Sequence, residues 1–202
     1  MANIKTIIFD LGGVLVKYNW MSYLNRRFKD PVIVEHVAEA LFAHNYWDEL
    51  DRGVVPYDEI RTTFASYQPD YAKYVMDAID HAGDELTAFN YAMPWIKELK
   101  ARGFQVLYLS NWSDHMRTTC GDALYFLPEM DGGVFSYEEK LIKPDAAIYN
   151  CILDRYNLKA EECVFFDDKK RNIDGACAVG IHGICFEDYA QAKSALEDLL
   201  NE

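Results

Sequence analysis

Positive charge is scarce in this chain: 20 lysines and arginines stand against 33 acids, a net charge of −13 over 202 residues. A surface that negative repels phosphate backbones and anionic lipids, so neither nucleic acid nor a membrane surface is an expected partner. It also exerts no long-range pull on an anionic substrate; a site for one must carry its own local cation. Long apolar runs are missing too, and nothing approaches the ~20 residues of a bilayer span. The opening "MANIKTIIFD" has no basic segment followed by a long apolar core, so no secretory leader is expected. Cysteine is sparse and unpatterned. Cys120, Cys151, Cys163, Cys177 and Cys185 are odd in number and show no CxxC or Cys/His metal spacing. They read as reduced core cysteines, and a cytoplasmic location is expected. Repeats and low-complexity tracts are absent. Oligomeric state is not legible.

What the chain does have is apolar residues, at 50 % of its length. That suffices for one sizeable core with a modest second lobe. "KTIIFD" reads as a strand buried on both faces. From about Asn19 to Asn90 the pattern is helical: Ile33, Val37 and Leu41 recur at one spacing, and Tyr57, Ile60, Phe64 and Tyr67 at another. Between these helices "HNYWDELDRGVVP" reads as a loop, punctuated by Gly53 and Pro56. From Met93 onward strands and helices alternate. "PWIKELKARG" is a helix opened by Pro94, "FQVLYLSN" a strand, "KPDAAIYNCILDRYNL" a helix, "ECVFFDD" a strand, "NIDGACAVG" a helix, "IHGICF" a strand, and "YAQAKSALEDLL" a last helix. The expected fold is α/β: a Rossmann-like, three-layer core on a parallel sheet, with an inserted all-helical lobe. Residues 1–16 and 87–202 form the expected core, and 17–86 the insertion.

In open α/β sheets, ligands bind beyond the carboxyl ends of the strands. Asp10 follows the first strand, Ser110 and Asn111 end the second, and Asp167 and Asp168 end the strand after Pro144. Lys143 precedes that proline. Singly each has a bland reading: a turn residue, a cap pair, a solvated acid pair. Lys143 is harder to dismiss. With Pro144 as the first helical residue, Lys143 falls at the N-cap, without a capping oxygen and with its charge against the positive end of the helix dipole. A bound anion would relieve that conflict. Together the residues have one chemical meaning. Three carboxylates repel unless a hard cation sits among them, and Mg²⁺ takes oxygen ligands while keeping room for a substrate phosphate. A carboxylate beside it can attack phosphorus to form an aspartyl phosphate. Ser110, the Asn111 N–H and Lys143 could hold the phosphoryl oxygens.

At these residues the chain resembles the haloacid dehalogenase-like (HAD) hydrolases. "FDLGGVLV" matches the first of their motifs, "LSN" the second, "KPDAAIY" the third and "VFFDDKKRNIDGA" the fourth, in the right order across nearly the whole chain. The resemblance implies phosphoryl transfer through Asp10, with Mg²⁺ held by Asp10, the Gly12 carbonyl, Asp168 and, directly or through a second layer, Asp167. It implies phosphate binding by Ser110, Asn111 and Lys143, and ordering of the acid loop by Asn172. The helical insertion resembles a family cap, which closes over the site and selects a small phosphorylated metabolite.

One departure stands out. Most family phosphatases carry a second aspartate two residues after the nucleophile, as general acid/base; this chain has Gly12. Such a group is typically worth ~10²–10⁴-fold. Three readings stay open. The subgroup similar in "FDLGGVLV", "DRG" and "FFDD" includes α-D-glucose-1-phosphate phosphatases that also lack it, and an anomeric hydroxyl leaves more easily than an ordinary one. A 2-haloacid dehalogenase needs no proton for its halide, but that branch uses no metal, which leaves the acid pair unexplained. A catalytically weak protein that only binds ligand is the third. A phosphomutase depends most on the missing acid. In the subgroup the cap loop "WDELDRG" points at the site. Asp51 or His44, and less directly His115, could replace the acid; Trp47 or Arg52 could contact a sugar. "KKR" at 169–171 reads first as a solvated face.

Overall fold

The computed structural model describes residues 3–201. The chain opens with β1 (Thr6–Phe9) and a two-residue strand β2 (Val16–Lys17). Five helices follow: α1 (Trp20–Phe28), α2 (Pro31–Phe42), α3 (Trp47–Arg52), α4 (Tyr57–Tyr67) and α5 (Ala72–Asp80). Then come β3 (Thr87–Ala88), α6 (Ala92–Ala101), β4 (Gln105–Ser110), α7 (Asp114–Thr119), β5 (Gly132–Phe135) and α8 (Ser136–Glu139). The chain finishes with α9 (Ala146–Arg155), β6 (Cys163–Asp167), α10 (Lys170–Ala178), β7 (His182–Cys185) and α11 (Tyr189–Asn201).

β1 lies at the centre of a five-stranded sheet in the order β5-β4-β1-β6-β7, paired in parallel throughout. Its four residues are all buried, which explains an unbroken apolar run in place of alternation. Ile7 and Phe9 join the core on one face with Trp95, Leu99 and Leu196; Ile8 joins the other with Ile148, Tyr149 and Ile173. These are the two helical layers of a Rossmann-like α/β fold. Because the chain moves out from β1 through β4 to β5 and then returns to β6, the sheet reverses order beside β1, where a crevice opens.

The helices α1–α5 bury a third apolar cluster drawn wholly from residues 23–79, including Leu24, Val37, Leu41, Phe64 and Ile79. Trp20 and Trp47 pack against both this cluster and the sheet's own core, joining the two. At its root the insertion is tied by β2 pairing antiparallel with β3. Among the described residues no helix is long and apolar enough to cross a membrane.

Several local expectations are corrected. The stretch around Trp47 is not all loop: α3 forms there, with Asp48 and Glu49 favourably placed in its first turn and Gly53, at φ 66°, closing it in a left-handed conformation. Strand β5 escapes pattern reading because its four residues open with two glycines. Pro94 is the third residue of α6, which begins at Ala92. Helix α9 starts at Ala146 with Asp145 at its N-cap, so Lys143 is not a capping residue. Of the cysteines only Cys120 and Cys163 are buried, and Cys177 is exposed.

Candidate active site

Register brings the acids together. Phe9 pairs with Tyr108 on one side and Phe166 on the other, so Asp10, Ser110 and Asp167 emerge at the same edge of the sheet. The lysine that sequence places at a helix start is instead wholly buried between them. Its Nζ lies 3.0 Å from Asp10 Oδ1 and 2.6 Å from Asp167 Oδ2. Asn111 fixes this arrangement through the backbone. Its Oδ1 accepts from the Lys143 N–H at 2.8 Å, and its Nδ2 donates to the Lys143 carbonyl at 3.0 Å. The side chain of Asn111 is thereby committed to positioning the lysine.

Asp10 is oriented by unequal use of its oxygens. Oδ1 accepts from the Leu11 N–H at 2.8 Å and from Ser110 Oγ at 2.6 Å, besides Lys143. Oδ2 accepts no hydrogen bond among the described residues. Burial pushes the Asp10 carboxyl up to about 6; Lys143 and Ser110 pull it back, while Asp167 and Asp168 push it further. Lys143 keeps its charge despite burial because Asp10 and Asp167 hold it above its usual value.

Asp167 and Asp168 have different surroundings. Asp167 is buried and its lone pairs are used: Oδ1 accepts from the Lys169 N–H (2.8 Å) and Asn172 Nδ2 (3.0 Å), and Oδ2 from Lys143 Nζ and Asn172 Nδ2 (2.9 Å). Asp168 is exposed, and its carboxylate accepts no hydrogen bond among the described residues. Gly13 makes room for it. At φ 78°, a Cβ on residue 13 would lie 2.6 Å from Asp168 Oδ2, so only glycine satisfies both the backbone and the space.

The set fits a divalent cation. Carboxylate oxygens of Asp10, Asp167 and Asp168 lie within 4.8 Å of one another. Three negative charges against one lysine leave a surplus of two, and every donor atom is an oxygen, as Mg²⁺ requires. The saturated lone pairs of Asp167 leave Asp10 and Asp168 as the carboxylates free to meet the ion.

Above these groups lies a cavity of about 360 Å³. Its floor is Asp10, Gly12, Gly13, Asn111 and Asp168; its opposite wall comes from the insertion and includes Trp20, Trp47 and Asp51. Trp20 and Trp47 meet edge to face, with centroids 4.8 Å apart. Of the sequence candidates in the insertion, Asp51 and Trp47 reach this cavity. Arg52 does not; it reaches Glu49 at 3.6 Å and Asp145 at 3.7 Å. His44 stacks on Tyr67 at 3.8 Å, and His115 on Tyr57 at 4.1 Å, both away from the cavity wall. The basic run at 169–171 is more than a solvated face: Lys169 and Arg171 line the cavity, and Arg171 pairs with Asp48 across it at 3.3 Å. Ser136 and Trp20 escaped the sequence reading, since neither sits in a motif.

A family model for haloacid dehalogenase-like hydrolases matches residues 4–180. The chain is 25 % identical to the sesquiterpene phosphatase astK of Aspergillus oryzae over 97 % of its own length and 96 % of that protein's. It is 28 % identical to the (S)-2-haloacid dehalogenase 4A of Burkholderia cepacia, over 84 % of this chain and 64 % of that one. A further match, 26 % identical, is to acyl-CoA dehydrogenase family member 10 of Mus musculus; it takes in 97 % of this chain but only 19 % of that protein. Among solved structures, a HAD family enzyme of Bacteroides thetaiotaomicron in complex with magnesium and inorganic phosphate superposes with a TM-score of 0.72. It is 21 % identical, covering 94 % of this chain and 98 % of that one. The strand-end acids, the buried lysine and a match spanning most of the sequence agree: the chain belongs to the haloacid dehalogenase-like hydrolase family.

Proposed function

We propose that the protein is a Mg²⁺-dependent phosphatase of a small phosphorylated metabolite, acting through an aspartyl phosphate on Asp10. The observation that carries this reading is the charge balance at the sheet edge: three clustered carboxylates held against a single buried lysine. Mg²⁺, held by Asp10, Asp168 and the Gly12 carbonyl, would neutralise a bound phosphoryl group and polarise it. Asp10 is the nucleophile, turned by three donors on one oxygen. Ser110 and Lys143 stand beside it and supply the donors and the charge that receive a phosphoryl oxygen. Asp167 holds Lys143 in place, and Asn172 holds Asp167. A dehalogenase is the weaker reading on the same ground. A haloacid brings its own carboxylate into a site that already has excess negative charge, with no step that calls for a cation.

The insertion, residues 17–86, serves as the cap. It supplies one wall of the cavity and is the part that selects substrate. Within the substrate class the finer proposal is a sugar phosphate such as α-D-glucose 1-phosphate, whose anomeric oxygen leaves readily. The flat faces of Trp20 and Trp47 suit a ring, and the cavity is of metabolite size. The astK protein, a phosphatase by name, supports the reaction class, and the magnesium and phosphate of the Bacteroides complex support the cofactor.

The test is phosphate release from a panel of phosphorylated sugars, including α-D-glucose 1-phosphate, with Mg²⁺ or with EDTA, for the wild type and Asp10→Asn. Release that requires both Mg²⁺ and Asp10 is expected. Folded protein that releases nothing, or a haloacid turned over in EDTA, would overturn the reading.

A further inference from the structure

The phosphatase reading leaves one chemical role unfilled. Residue 12, two places after the nucleophile, has no side chain to protonate a leaving group. The space is present: a Cβ built on Gly12 meets nothing within 4 Å, and the residue lines the cavity. For a leaving group that needs a proton, the acid has to come from elsewhere on the cavity wall.

The proton donors of that wall outside the proposed metal site are Tyr18, Asp48 and Asp51, and burial holds the Tyr18 phenol well above its usual range. Asp48 is engaged with Arg171. Lys169 and Arg171 are cations. His44 and His115 lie away from the wall, each stacked on a tyrosine. Asp51 remains. It lines the cavity that Asp10 floors, the residue is 8 % exposed, and its carboxylate makes no hydrogen bond or ion pair among the described residues. A buried carboxyl without a partner is costly unless it has a task or a proton.

Its backbone, by contrast, is fastened to the α/β core. Ser136 Oγ is fully buried and donates to the Asp51 carbonyl at 2.6 Å, while accepting from the Trp112 N–H at 2.9 Å. Trp112 directly follows Asn111, which holds Lys143. Two residues after Asp51, Lys140 Nζ donates to the Gly53 carbonyl at 2.6 Å. The segment carrying Asp51 is thus tied to the loop that positions the phosphate-binding lysine.

We propose that Asp51 is the general acid and base of this enzyme, supplied from the insertion in place of the side chain that residue 12 lacks. This rests on the phosphatase reading above. In the first half-reaction an Asp10 oxygen bonds to phosphorus as the phosphorus–oxygen bond to the leaving group breaks. That bond's electron pair stays on the leaving oxygen, which takes the proton of Asp51. In the second, the Asp51 carboxylate takes a proton from water as the water oxygen bonds to phosphorus. The aspartyl–phosphorus bond breaks, and Asp10, inorganic phosphate and protonated Asp51 are regenerated. The carboxyl has a suitable affinity for a proton. Burial, opposed by Lys169 and reinforced by the charges of Asp48 and Asp10, raises it to about 7. Lys143 also faces it and lowers it.

Leaving-group dependence tests this. The measurement is kcat/KM with Mg²⁺ for alkyl phosphates, whose alkoxide needs a proton, and for p-nitrophenyl phosphate, whose phenolate does not. Wild type, Asp51→Asn and Asp51→Asn with Gly12→Asp are compared. Because kcat/KM reports steps through the first irreversible one, it isolates leaving-group departure from hydrolysis of the intermediate. Asp51→Asn is expected to lower the alkyl value by about 10²–10³-fold and the aryl value less than about tenfold. Adding Gly12→Asp should recover at least tenfold of the alkyl loss. Ser136→Ala, which loosens the backbone tie and leaves the carboxyl intact, should show the same alkyl-selective loss at smaller size. An equal loss on both substrate classes, or no loss on either, overturns the Asp51 assignment alone. A wild type that releases phosphate from neither class overturns the phosphatase reading and the assignment with it.

Discussion

Removing the charge of Asp51 should stabilise the protein in mildly basic solution, although it removes the acid of the proposed mechanism. The carboxyl is raised from an ordinary 3.8 to about 7 by burial above all. A raised acid holds its proton more tightly when folded, so its favourable contribution is complete below pH 3.8 and is lost as pH rises through 7. At ~1.36 kcal/mol per pH unit, that interval amounts to about 4 kcal/mol, of which roughly half falls between pH 5 and pH 7, because the slope halves as the folded group reaches its midpoint. Asparagine has nearly the same shape and does not titrate. The assay is urea unfolding of wild type and Asp51→Asn in EDTA, at pH 5, 6, 7 and 8. The stability difference between variant and wild type should grow in the variant's favour by about 2–3 kcal/mol from pH 5 to pH 7, then level off. Parallel stability curves across this range would refute the claim that Asp51 is buried and raised. Growth in the opposite direction would mean that the carboxylate, and not the acid, is what the fold prefers.

Three other outcomes are expected. Lys143→Met leaves Asp10 and Asp167 buried without their cation and should cost about 3–5 kcal/mol in urea unfolding, with loss of phosphate release. Gly13→Ala forces a side chain into a φ of 78° and against Asp168 Oδ2, and should lower stability by about 1–3 kcal/mol in thermal melts. Mg²⁺ at 100 times its Kd should stabilise the wild type by about 2.7 kcal/mol, read as a rise in Tm that Asp168→Asn abolishes.

Much of the site could be read along the chain because its parts are local signals. A buried strand that ends in an acid announces Asp10, and the same logic finds Ser110 and the pair Asp167–Asp168. Parallel pairing then brings equivalent strand ends to one edge without further instruction. Lys143 was legible as an anomaly, but the reason lay elsewhere. It is a buried counter-ion between two strands' carboxylates and not a cap in want of an anion. The short helix α3 was obscured by its polar composition, and β5 by its glycines.

The sequence by itself determined the alternation of strands and helices, the central buried strand, and the set of acids and lysine that must share an edge. These follow from periodicity and from chain positions fixed relative to strand ends. Only the tertiary structure decided which acid of the insertion reaches the cavity above Asp10 with its carboxylate unpaired, because that depends on contacts between distant segments. Asp51 and Ser136 are 85 residues apart in the chain. The helix between Trp47 and Arg52 turns neighbouring side chains in different directions, so that Asp51 meets the cavity while Arg52 pairs with Glu49 and Asp145. Asp167 and Asp168 are likewise alike in sequence. The fold separates them by burying one among four hydrogen-bond contacts and leaving the other exposed beside the backbone of Gly13.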